Sequence, residues 1–99
     1  MSYTIVNRPL VYYDILEIVD YYKEINTELA VKFLDQLEAT KKYILDFPES
    51  FQIRYNKART ILIENFPYHI HYLIDNNKKQ IIILAIIHSY KNPKDYSKR

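Results

Sequence analysis

The sequence predicts an α+β domain: an N-terminal strand, then an antiparallel helical hairpin packed on an antiparallel β-sheet. Three observations carry this. Apolar residues recur at helical spacing along two successive segments joined by a very short connection. After Pro48 the period changes from helical to alternating. Near the end stands Gln80-Ile81-Ile82-Ile83-Leu84-Ala85-Ile86-Ile87-His88, a β-branched run too short to span a membrane and suited to a strand buried on both faces.

Tyr3 to Val6 leans towards a short strand. Asn7 can cap a helix and Pro9 fits a first turn. Val11, Ile15, Ile18, Tyr22 and Ile25 then mark one face of a first helix, with Asp14, Glu17, Asp20 and Glu24 on others. Asn26-Thr27 interrupts, Thr27 being suited to an N-cap. Ala30, Phe33, Leu34, Leu37, Thr40 and Ile44 form the next stripe, which ends at Phe47 before Pro48. So short a connection implies an antiparallel hairpin.

Phe51–Tyr55 and Ala58–Glu64 read as strands about an Asn56-Lys57 turn. After Asn65-Phe66-Pro67, Tyr68–Ile74 alternates, with Tyr68, Ile70, Tyr72 and Ile74 on one face and His69, His71 and Leu73 on the other. A two-residue Asn76-Asn77 hairpin would set His71 opposite Ile82 and His69 opposite Leu84. Ile82, Leu84, Ile86 and His88 would then share the histidine face, and Ile81, Ile83, Ala85 and Ile87 the face beneath the helices. Nothing but the polar tail Ser89–Arg99 remains to cover the first set, so His69, His71, Ile82, Leu84 and Ile86 are expected to meet a protein partner or a second copy of the chain. A one-residue slip would exchange the faces.

Ninety-nine residues suit one domain spanning residues 1–99. The absence of cysteine excludes disulfide and thiolate chemistry, and the absence of glycine excludes the usual phosphate-cradling loops. Turns are left to asparagine, which tolerates a left-handed backbone. The N-terminus has no basic region followed by an apolar stretch, so a cytoplasmic location without membrane contact is expected. Residues 1–50 hold nine acidic and five basic residues, net −4, whereas residues 51–99 hold three and nine, net +6. The basic half suits an acidic partner, nucleic acid or protein.

Three local features resemble the RelE/ParE toxins of bacterial type II toxin–antitoxin modules. Phe47-Pro48-Glu49 is similar to the family's junction after the second helix. Arg59 followed by Phe66-Pro67-Tyr68-His69-Ile70-His71-Tyr72 resembles its arginine and "pYrivY" strand. Ile81–His88 with Pro93 resembles its terminal strand. The resemblance implies a toxin neutralised by a cognate antitoxin. ParE-like members are directed at DNA gyrase without nuclease action, and RelE-like members are ribosome-dependent mRNA endoribonucleases that need no metal. A non-toxic binding protein of the same fold is the third alternative.

For the ribonuclease reading the resemblance implies Arg59, His88 and Tyr96 as catalytic residues, His88 titrating at ~6.5 when unperturbed. The chain departs from the ribonuclease pattern where lysines are replaced by Thr60-Ile61-Leu62-Ile63, where His69 replaces an arginine, and where Ser89-Tyr90-Lys91 replaces an arginine pair. Those cations would stabilise transition-state charge, so the residues favour the ParE-like reading. His69 and His71 have metal-compatible spacing but no evident third ligand, so neither a metal nor a cofactor is expected. The tyrosine pairs Tyr12-Tyr13 and Tyr21-Tyr22 are read as one buried and one exposed residue each, not as a platform for bases.

Overall fold

The computed structural model describes residues 2–91 and 94–99. Its elements are β1 (Thr4–Asn7), α1 (Pro9–Ile25), α2 (Thr27–Asp46), β2 (Ile53–Tyr55), β3 (Ala58–Leu62), β4 (Tyr68–Asp75) and β5 (Gln80–His88). The five strands form one sheet in the order β1-β5-β4-β3-β2. It is antiparallel from β2 to β5, and β1 adds a parallel edge beside β5. Among the described residues no helix is long and apolar enough to cross a membrane.

The helical hairpin turns on Asn26. Its extended backbone breaks the helix, its N–H closes α1 on the Tyr22 carbonyl, and its side-chain oxygen accepts from Glu28 N at 2.8 Å. One residue thus ends α1 and caps α2, a role the sequence had suggested for Thr27. At the other end of α1, Arg8 is the N-cap and makes no side-chain cap. Asn7, expected there, lies in β1, and its Oδ1 is buried without a hydrogen-bond partner.

Val11, Ile18 and Tyr22 from α1 meet Ala30, Phe33, Leu37 and Ile44 from α2 over Ile70, Tyr72, Ile81 and Ile83 of the sheet. Ile25 and Leu34, expected on the buried stripes, are exposed. Tyr21 and Tyr22 divide as expected, but Tyr12 and Tyr13 are both exposed.

Beyond α2, the Tyr72 hydroxyl donates to Pro48 O at 2.6 Å, and Arg59 Nη1 donates to Glu49 O and Phe51 O at 3.1 and 2.6 Å. These bonds fix the crossing from helix to sheet. Asn56 and Lys57 both have positive φ, 38° and 65°, as a two-residue hairpin with the right-handed twist requires.

The β4–β5 register differs from the expected one. The loop is Asn76–Lys79, not two asparagines; Asp75 Oδ1 accepts from Asn77 N and Lys78 N, and Lys79 takes the positive φ. Ile74 pairs Ile81 and Tyr72 pairs Ile83, but His71 pairs Ala85, leaving Leu84 as an extra residue. This bulge reverses the alternation of β5. Ile81 and Ile83 lie under the helices as expected. Beyond the bulge Ile86 joins them, while Ala85 and Ile87 move to the histidine face.

Candidate functional site

The sheet face away from the helices carries His69, His71 and Leu73 from β4, Thr60 from β3, and Ile82, Leu84, Ala85 and Ile87 from β5. Its cover comes from the chain itself. Tyr96, on the tail, packs against the small cluster of Ala58, Leu84 and Ala85, and its ring meets the edge of His71 at 5.2 Å. Arg99 reaches back to α1 and forks onto both carboxylate oxygens of Asp14, while Nη1 also donates to Leu84 O at 3.3 Å. Asp14 Oδ2 accepts from Ile86 N at 3.0 Å. The ion pair therefore satisfies backbone groups of β5 beyond the β1 ladder, which ends at Ile83 because β1 ends at its partner Asn7. Asn56 Nδ2 donates to Asp95 at 2.6 Å and anchors the start of the same segment.

Under this strap His71 Nδ1 lies 2.8 Å from the Tyr55 hydroxyl, which the Tyr96 backbone also hydrogen-bonds. Burial, then the charges of His69 and Arg99, push His71 down to about 4, so its ring is neutral near pH 7. His69 is also lowered, by burial and then by Arg54, and its Nδ1 is 2.9 Å from Ser89 Oγ. His88 closes β5 with Nδ1 accepting from Tyr90 N at 3.1 Å and its ring between Tyr68 and Tyr90. Among the described residues no group of three or more His, Cys, Asp or Glu is placed to hold a metal.

Two grooves flank the strap. One of about 340 Å³ lies over the histidine face, lined by Tyr55, Thr60, His69, His71 and Ser89. A larger one of about 600 Å³ lies between α1 and the end of β5, lined by Glu17, Tyr21, Tyr68 and Tyr90. His88, Lys91, Lys94 and Tyr96 border both.

Of the three residues proposed for catalysis, His88 and Tyr96 border the same grooves. Arg59 does not join them. It pairs with Tyr72, four positions along β4 from the Tyr68 that faces His88, about 13 Å at strand rise. Its guanidinium is committed to the carbonyls of Glu49 and Phe51.

Of the residues expected to meet a partner, His69, His71 and Ile82 are half-buried, but Leu84 and Ile86 are corrected: Leu84 is 0% exposed beneath the strap and Ile86 is 2% exposed under the helices. The expectation that nothing in the chain covers this face is corrected with them. Exposed apolar side chains stand instead on the helices, at Tyr13, Leu16 and Val31. Sequence reasoning missed Asp14, Tyr55, Ser89 and Arg99. Alternation from the Asn56-Lys57 turn could have placed Tyr55; no local signal marks the Asp14–Arg99 pair, 85 residues apart.

A helical hairpin packed on this five-stranded sheet is the architecture of a RelE/ParE-type domain. The chain belongs to the ParE toxin family: the family model described as the ParE toxin of the type II toxin–antitoxin system parDE matches residues 8–93. Among solved structures, a chain from the chromosomal ParDE toxin–antitoxin system of P. aeruginosa superposes with a TM-score of 0.74 at 21% identity, covering 87% of this chain and 95% of that one. A mutant of the E. coli toxin RelE in the free state superposes with a TM-score of 0.61 at 13% identity, covering 91% and 86%. No curated protein matches the sequence.

Proposed function

We propose that this ParE-family chain is a growth-arresting toxin, held inactive by a cognate antitoxin, and that it acts by binding DNA gyrase and not by cutting RNA. The family match over residues 8–93 supports the toxin reading. The observation that carries the non-nucleolytic reading is the fate of Arg59. Phosphodiester cleavage needs cations around the developing phosphorane, and Arg59, the arginine the resemblance nominates for that role, is spent on two backbone carbonyls away from His88. The antitoxin would contact His69, His71 and Ile82 at the margins of the strap and the exposed apolar residues of the helices.

A second reading, a ribosome-dependent mRNA endoribonuclease, draws on His88 and Tyr96 sharing the smaller groove with Arg54, Lys91 and Lys94. A DNA supercoiling assay with purified gyrase separates the readings. Inhibition that survives His88→Ala supports gyrase binding; undiminished supercoiling at high protein concentration refutes it. Expression of the chain alone in a bacterial host tests toxicity itself, and unimpaired growth would leave a non-toxic binding protein.

A further inference from the structure

The larger groove plays no part in the gyrase-binding reading, yet it combines two features a ligand can use. Its first wall is aromatic. Tyr68, His88 and Tyr90 form a row with ring centroids 5.2 and 5.4 Å apart. Tyr90 ends that row 87% exposed, so most of its ring is open to solvent, and Tyr21, 55% exposed, stands on the α1 side.

The second feature is an ordered division of charge. Asp14 is neutralised by Arg99, which leaves Glu17 as the free carboxylate among the groove's lining residues, on α1. Lys91 and Lys94 line the opposite side, after β5, and neither is in an ion pair among the described residues. A ligand with an anion at one end and a planar, hydrogen-bonding ring at the other fits this polarity. The groove's volume of about 600 Å³ lies within the range of small-molecule sites.

We propose that the groove between α1 and the end of β5 binds a nucleotide, with the base stacked on Tyr90 beside Tyr21 and the phosphate held by Lys91 and Lys94. Stacking tolerates any base because every base has a π-face. Lysine holds phosphate as a point charge. Glu17 faces the sugar or base edge, where it accepts from a hydroxyl or an amino group and keeps the phosphate at the lysine end. The ligand is a free mononucleotide.

The test uses the full chain and four probes: AMP, adenosine, ribose 5-phosphate and a short single-stranded oligonucleotide, followed by NMR and calorimetry. AMP is expected to bind saturably and to shift the ring signals of Tyr21, Tyr68 and Tyr90, with adenosine and ribose 5-phosphate each binding more weakly. Tyr90→Ala and Lys91→Ala are each expected to weaken AMP binding about tenfold, with an unchanged melting temperature because both side chains are exposed. The oligonucleotide is expected to bind no more tightly than AMP; an oligonucleotide bound much more tightly would assign the groove to the RNA-cutting reading and overturn the proposal. The proposal is overturned if neither AMP nor the oligonucleotide binds saturably, if Tyr90→Ala leaves binding unchanged, or if the shifts fall on His69 and His71 instead.

Discussion

On one face of the sheet Tyr72, Ile81 and Ile83 lie fully buried under two helices; on the other, Leu84 and Ala85 lie just as deep under a short tail. The two covers work differently. The helices supply apolar area along 37 residues, and no single contact decides whether they stay. The tail supplies Tyr96, one ion pair and a few directed hydrogen bonds. Depth of burial therefore says little about how a surface is held. The helical face should fail by losing packing and the histidine face by losing a charge or gaining a proton.

Substitutions should separate the two mechanisms. Phe33→Ala empties the centre of the helical face, where Phe33 touches Tyr22, Phe66 and Tyr68, and is expected to cost about 3–5 kcal/mol in denaturant unfolding. Asp14→Ala removes the strap's anchor and the acceptor for Ile86 N. It is expected to cost about 2–3 kcal/mol, because charge-assisted bonds are lost and Arg99 is left partly buried. Hydrogen exchange should rise at Ile86 and over residues 94–99, while the helices stay protected. A uniform rise across the helices would break the distinction. Tyr72→Phe keeps the ring and leaves Pro48 O without its donor, for about 1 kcal/mol.

The histidine face has a pH dependence of its own. His71 is depressed to about 4 in the folded chain, against ~6.5 when unperturbed. Between those values the unfolded chain takes up a proton that the folded chain refuses. Stability should fall as pH drops from ~6.5 to about 4 and then level off, with His69 adding in the same direction. His71→Gln should flatten that slope. An NMR titration placing His71 near its ordinary value would contradict the closed strap, whereas in Tyr96→Ala it should rise towards that value.

Much of this architecture is legible in the residues. The two helices, the change of period at Pro48 and the alternation of Tyr68–Ile74 each follow from spacing, and the family follows from short motifs around them. The bulge is not legible, for a physical reason. Alternation reveals register only when polar residues mark one face, and Ile81–Ile87 is apolar at every position. A turn without glycine adds to this, since Lys79 takes the left-handed backbone that asparagine was expected to supply. The strap is hidden for a different reason. A polar tail reads as solvated, but Tyr96 brings an apolar ring and Arg99 an anion-seeking fork, and their partners come from distant elements. Half of the candidate site was visible as His69, His71, His88 and Tyr96; the half that organises them was not.

The proposed action is one of binding, and it rests on Arg59 being committed to backbone carbonyls away from His88. The most direct measurement is cleavage mapping of mRNA on translating ribosomes with the purified wild-type chain and His88→Ala. The account predicts no position-specific cuts from either protein. Discrete cuts made by the wild type and lost in His88→Ala would contradict it.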